Sequence, residues 1–274
     1  MPLDTAEFLE TPPALQRTRG EGRLAVGGAR VRELYQLGAA KIRLPNAHGA
    51  HAQEAVLINT GGGLTGGDRM AWRVAAEDGA NITATTQACE KVYRSTGGPA
   101  YADTALDVGP GAAIDWLPQE TILFDRAELT RTLQADVAEG GRLLALESVV
   151  LGRQAMGETV RAGALRDRWR VRRAGRLLFA DDIRLDGAIA DLAARPAALA
   201  GGRAFATLLL VEDDAERLLQ PLRAALAGRG GASAFGGKLI CRIVAADGLA
   251  LRRALLPAIQ ALRQDAPLPR VWSL

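Results

Sequence analysis

The stretch Leu57-Ile58-Asn59-Thr60-Gly61-Gly62-Gly63-Leu64-Thr65-Gly66-Gly67-Asp68 gathers five glycines that close on a carboxylate. Glycine loses more conformational freedom on folding than any other residue. A cluster of them marks a path that side chains would obstruct: positive φ, a bulge, or close approach of another backbone. Gly61, Gly63 and Gly66 also match the Gly-x-Gly-x-x-Gly spacing of a dinucleotide loop. That loop works by opening a helix whose N-terminus takes the pyrophosphate. Here Met70, Trp72 and Val74 alternate with Ala71 and Arg73 up to Asp78-Gly79, which predicts a strand and argues against a nucleotide site. The run also lacks the Gly-Lys-Ser or Gly-Lys-Thr of a phosphate-binding loop.

Other chemistry is scarce. Covalent catalysis needs a nucleophile, a base and an orienting partner. Ser95 and Ser148 have no local histidine, and His48 and His51 are the chain's two imidazoles. With Cys89 and Cys241 they do not make a structural zinc pattern, and His48-x-x-His51 in a Pro/Asn/Gly setting reads as a solvated loop. The start carries Asp4, Glu7 and Glu10 with no basic, apolar leader, so the cysteines read as reduced, buried strand residues of a cytoplasmic protein.

With 48% hydrophobic and 24% charged residues over 274 positions, the chain has the material for a full core. No apolar run reaches the roughly 20 residues of a membrane helix, which excludes a helical membrane role. The net charge is a mild +3. Its densest basic segment, Arg161 to Arg176, alternates Arg166, Arg168, Arg170 and Arg172 and adds Arg173, so most of these side chains share one strand face. Without an aromatic platform or a helix-turn-helix pattern, that face reads as solvated rather than as a nucleic-acid site.

These residues must be positioned mainly by strands. Short apolar runs recur at Arg23 to Val26, Val31 to Leu37, Ala55 to Ile58, Met70 to Ala76, Ala80 to Thr86, Thr104 to Val108, Ala112 to Trp116, Thr121 to Phe124, Leu129 to Val137 and Leu143 to Leu151, separated by Gly, Pro, Asn and Asp turns. No helical period appears before residue 210. Beyond it, Asp213 and Glu216 have capping-box spacing ahead of Leu218, Leu219, Leu222 and Leu226. After Asp247-Gly248, the residues Leu251, Ala254, Leu255, Ala258, Ile259 and Leu262 repeat at helical spacing. Pro221 and Pro257 are expected to kink or shorten these helices. The expectation is an all-β-dominated single domain over residues 22–274, of sandwich or β-helical type, with two late α-helices and a loosely held arm over residues 1–21.

The run Asn59-Thr60-Gly61-Gly62-Gly63-Leu64-Thr65-Gly66-Gly67-Asp68 resembles the signature of the urease accessory protein D family, called UreD or UreH. Four further blocks resemble the family in the same order. They are Thr85-Thr86-Gln87 through Lys91-Val92-Tyr93-Arg94-Ser95, Trp116-Leu117-Pro118-Gln119-Glu120-Thr121-Ile122, Leu151-Gly152-Arg153-Gln154-Ala155-Met156-Gly157-Glu158, and Pro269-Arg270-Val271-Trp272. The resemblance implies a β-rich scaffold without enzymatic activity or a tightly bound cofactor. It implies assembly with the accessory F protein, the accessory G protein that hydrolyses GTP, and apo-urease, so that Ni²⁺ in transit reaches the urease active site. A β-rich nucleotide- or nucleic-acid-binding protein is the alternative.

For a chain that passes nickel on, oxygen ligands suit better than thiolate or imidazole, which hold the ion more tightly. The expected lining of a water-filled passage is Asp68, Glu120, Glu147, Glu158 and Asp181, with Glu90 as a weaker member. Each has a plainer role open to it: Asp68 as a turn cap, Glu147 and Glu158 as partners of Arg153, Asp181 as a surface acid. Arg270 and Trp272 are expected at a partner contact, although Trp272 is equally suited to close the core.

Overall fold

A computed structural model describes residues 16–45, 52–264 and 266–272. Most of the expected arm lies outside these residues, as do His48 and His51. The first strand, β1 (Arg19–Gly27), takes in the last residues assigned to that arm.

The chain winds as a β-solenoid of about four turns, the β-helical of the two expected types. Each coil lays one strand in each of two sheets. β4 (Gln53–Asn59), β6 (Asn81–Thr86), β9 (Ala113–Leu117) and β12 (Arg142–Leu151) stack in parallel in one sheet. β5 (Arg69–Glu77), β8 (Ala100–Val108), β11 (Glu128–Val137) and β13 (Gly163–Arg173) stack in parallel in the other. At the corner between them, β7 (Glu90–Val92) and β10 (Thr121–Leu123) form a short third face. Leu64, Val92, Leu123 and Leu151 align across it in register. All four are buried, because parallel in-register strands put equivalent residues on one inward column.

The ends are closed by antiparallel pairs. At the first, β1 continues the parallel stack beside β5, with β2 (Arg30–Gly38) antiparallel outside it, and β3 (Ala40–Arg43) pairs β4 antiparallel. At the other end β14 (Arg176–Gly187) pairs β13, while β15 (Ala204–Val211), β17 (Lys238–Ala245) and β16 (Gly231–Phe235) extend the first sheet from β12.

One short helix, α1 (Ile189–Ala194), precedes residue 210, against expectation. At six residues it is under two turns, too short to show a period in sequence. α2 (Leu219–Leu226) and α3 (Gly248–Leu262) cover the outer face of the extended sheet through Leu222, Leu226, Leu251, Leu255 and Ile259. Asp213 does not cap the first of these. It pairs with Arg173, and the helical path opens as a 3-10 turn at Ala215–Leu218, with Pro221 in the first turn of α2, where a missing N–H is tolerated. α3 runs through Pro257 to full length, and Asp247 caps it by accepting from the Ala250 N–H at 2.7 Å.

Candidate functional site

The family-like blocks occupy one side of the solenoid, coil above coil. The glycine run joins β4 to β5, Lys91 to Ser95 includes most of β7, Pro118 to Ile122 leads into β10, and Gly152 to Glu158 succeeds β12. The glycines let these corners touch. A side chain at Gly63, whose φ is +146°, would meet the Lys91 carbonyl at 2.7 Å, and one at Gly66 would meet the Gly98 carbonyl at 2.5 Å. Gly67 leads into β5 and not into a helix, which removes the dinucleotide reading.

Asp68 ends that run as a clamp. Its Oδ1 accepts from the Thr18 N–H at 2.7 Å and its Oδ2 from the Thr65 N–H at 2.8 Å, and it is buried. Both oxygens are thus engaged by backbone, tying the start of β1 to the glycine loop. Asp68→Asn places an amide where an acceptor is needed. We expect it to destabilise the fold by about 1–3 kcal/mol, read as a lower urea midpoint.

The strand phase brings a second set of groups into the interior. On β11 the inward residues are Leu129, Arg131, Leu133, Ala135 and Val137; on β13 they are Leu165, Asp167, Trp169 and Val171; on β12 Glu147 stands between Ala145 and Val149. Three charges therefore occupy apolar-phase positions. Arg131 donates to Glu147 Oε2 at 2.5 Å, to Asp167 Oδ2 at 2.6 Å and to Thr121 Oγ1 at 3.1 Å. Trp116 donates its indole N–H to Glu147 Oε1 at 3.0 Å, and Trp169 donates to Asp167 Oδ1 at 3.2 Å. Burial pushes the Glu147 carboxyl up, and Arg131 opposes that shift.

This cluster continues along the solenoid axis. Thr121 is in register with Glu90 one coil earlier, on the same inward phase as Val92 and Leu123. Asn59, one coil earlier again, donates to both Glu90 oxygens at 3.1 Å. Asn59, Glu90, Thr121, Arg131, Glu147 and Asp167 thus form a polar tract through all four coils.

Burial pushes Glu90 up to about 7, with the Asn59 hydrogen bonds pulling the other way. Its folded value lies above its unfolded one, so the folded state keeps a proton that the unfolded chain releases. Stability therefore falls as pH rises from about 4.5 to about 7 and stays lower above. Glu90→Gln is expected to flatten that slope and to raise stability at pH 8 by about 2–3 kcal/mol, measured by denaturant titration at several pH values.

The other expected acids lie elsewhere. Glu120 is buried at the corner, within 3.3 Å of Arg252 and 3.4 Å of the Cys89 thiol, beneath a cleft of about 450 Å³ that Ile122 and Leu249 also line. Burial, then the Glu120 charge, pushes the Cys89 thiol up to about 11, leaving it protonated and a poor metal ligand. Cys89 is half-buried just before β7, whereas Cys241 is buried in β17 as expected; both are free. Glu158 pairs with Arg153 at 2.8 Å, which holds its carboxyl below the usual range. Asp181 pairs with Arg242 at 2.7 Å, and Asp182 pairs with Arg166 on the outer face.

At the C-terminal turn Trp272 is a core residue. Its ring is buried and its N–H donates to Thr85 Oγ1 at 3.2 Å and to the Leu117 carbonyl at 3.3 Å. Arg252 holds the Trp272 carbonyl at 2.9 Å, while Arg270 is exposed. Among the described residues no three His, Cys, Asp or Glu side chains are grouped to hold a metal ion, and no helix is long and apolar enough to cross a membrane.

The profile of the UreD urease accessory protein family matches residues 18–273. The chain belongs to the UreD family. The urease accessory protein UreD of Rhizobium leguminosarum bv. viciae is 55% identical over 264 residues, covering 94% of this chain and 96% of that protein. Those of Agrobacterium fabrum strain C58 and Chelativorans sp. strain BNC1 are 50% and 49% identical, each over 98% of this chain and over 95% and 99% of their own lengths. As a UreD-family protein the chain is a non-enzymatic factor in urease maturation, with a chaperone role in nickel insertion.

Of the six acids expected to line a passage in this UreD-family chain, Glu90 and Glu147 share the interior tract. Asp68, Glu120, Glu158 and Asp181 are engaged elsewhere. Sequence reading missed Arg131, Asp167 and Thr121. The signal for the first two was present: a charge standing on the apolar phase of an alternating strand.

Proposed function

We propose that this chain bridges apo-urease and the accessory F and G proteins in the cytoplasm and gives Ni²⁺ an interior path toward the urease active site. The observation that carries this reading is the polar tract that runs from half-buried Asn59 and Glu90 to buried Thr121, Glu147 and Asp167. Burying carboxylates in a β core is unfavourable unless they are paired, and stability alone rarely favours them over apolar residues. A cation path does require them. Carboxylate, hydroxyl and amide oxygens attract Ni²⁺ yet exchange it faster than thiolate or imidazole, so the ion is held in transit rather than stored.

We assign the C-terminal partner contact to Arg270, exposed on the same short turn that carries the buried Trp272. Arg270→Glu is expected to weaken capture of the partner proteins about tenfold while leaving the melting temperature unchanged. Equal capture would remove the contact.

The passage itself is tested with a neutral interior, Arg131→Met with Glu147→Gln and Asp167→Asn. This variant should fold and bind its partners but leave urease nickel-poor at limiting nickel. Normal nickel content would reject the path.

A further inference from the structure

β2 stands apart from the other strands in what it leaves open. Of the ten large hydrophobic side chains exposed among the described residues, four, Val31, Leu34, Tyr35 and Leu37, lie on its nine positions. They occupy both faces. Leu34 pairs with buried Leu24 and shares its phase, whereas Tyr35 and Leu37 pair with Arg23 and Glu21 on the outer face. β2 also ends its sheet, so its second edge presents backbone N–H and C=O groups to any strand that arrives. Two other edges are guarded by side chains. On β3 the Ile42 N–H donates to Gln36 Oε1 at 2.8 Å, and on β16 the Ala232 carbonyl accepts from Arg223 at 2.9 Å. Between Val31 and Leu37 no side chain among the described residues reaches the backbone of β2 in that way.

The charges on this strand select its occupant. The bulge in the pairing with β1 disturbs the start of β2 and leaves Glu33 to Gly38 regular. A second copy can pair antiparallel with that stretch about a twofold axis, which keeps equal residues on equal faces. An axis through Glu33 would oppose two carboxylates, and one through Tyr35 would set Glu33 against Leu37. An axis through Leu34 sets Leu34 against its own copy, Arg32 against Gln36 and Glu33 against Tyr35. Arg23 already stacks over Tyr35 at 4.6 Å and lies 3.6 Å from Glu33 of its own chain. In this register each Glu33 therefore meets the other copy's Arg23 as well, twice by symmetry, with apolar side chains opposed at the centre. We propose that β2 is a self-association surface, on which two copies of this chain pair antiparallel about Leu34 and join their seven-stranded sheets edge to edge.

A single strand pair is at the small end of specific interfaces, so the dimer should form in the micromolar range. Sedimentation of the purified full chain, with no urease or accessory protein present, should show monomer passing to dimer over a concentration series. Deuterium exchange of the β2 amides should slow over the same series. Leu34→Lys brings two ammonium groups together on the axis and should weaken the dimer at least about tenfold with little change in melting temperature. Glu33→Arg should weaken it too, and Arg23→Glu added to Glu33→Arg should restore it, because the exchanged pair still meets across the axis.

A wild-type chain that stays monomeric at every concentration overturns the proposal, as does a dimer indifferent to these substitutions. A monomer whose β2 amides are protected equally at all concentrations would overturn it as well, and would assign the edge to a segment of the same chain.

Discussion

Arg131→Ala is expected to destabilise the chain by about 3–5 kcal/mol, because it removes the partner of two buried carboxylates and leaves them uncompensated. Both acids are almost wholly buried, at 6% and 2% side-chain exposure, so water cannot take the place of the guanidinium without opening the core. The loss should depend on pH with a definite sign. Without Arg131 the carboxylates can relieve the penalty by taking up protons that the unfolded chain would release. The variant should therefore lose stability as pH rises, with its deficit larger at pH 8 than at pH 5. The neutral variant carrying Arg131→Met, Glu147→Gln and Asp167→Asn should recover most of the loss, since replacing a whole buried ion cluster is often neutral. Urea titrations of the three proteins at both pH values decide this. A loss below about 1 kcal/mol for Arg131→Ala, independent of pH, would mean that the buried charges are not electrostatically coupled.

Trp272→Ala should have an effect of similar size by another route. The indole fills the junction of α3, the Thr85 strand and the Leu117 corner, and it makes two hydrogen bonds there. Truncating such a residue costs about 3–5 kcal/mol in lost burial and cavity formation. It would also leave the Thr85 hydroxyl without that donor and take away the ring beneath the Arg252 guanidinium, 4.9 Å from its centroid. Arg252 ties Trp272 to Gln119 and Glu120, so the corner cleft should loosen with it. Thermal melts should show a drop of several degrees, with Trp272→Phe intermediate. An unchanged melt would place Trp272 outside the core and return it to the partner surface.

Much of this fold was legible as strands. Leu129 to Val137 and Leu143 to Leu151 alternate or run apolar in the way two-layer β structures demand, and both became long strands. The winding was harder to read, because Gln53, Asn81, Ala113 and Arg142 open equivalent strands at unequal intervals. A solenoid with uneven corners has no repeat to find, and a sandwich uses the same strand pattern. The capping role of Asp68 was legible as one of two alternatives, but its second partner, Thr18, is brought to it only by the tertiary fold.

The candidate site divides similarly. Glu90 and Glu147 were reached through the blocks that resemble the family, whereas Arg131 and Asp167 needed attention to phase. In Leu129-Thr130-Arg131-Thr132-Leu133 the arginine sits where the alternation calls for an apolar residue, and in Leu165-Arg166-Asp167-Arg168-Trp169 the aspartate does. The conspicuous arginines between Arg166 and Arg172 drew the reading toward the outer face, where Asp182 neutralises two of them.

The central claim is tested most directly by the nickel content of urease purified from cells that express the urease subunits and every other accessory protein, with and without this chain, at limiting nickel. Omitting the chain should give assembled but nickel-poor, inactive urease, restored by the wild-type chain and not by the neutral-interior variant. Equal nickel content with and without the chain would contradict a role for it in nickel delivery.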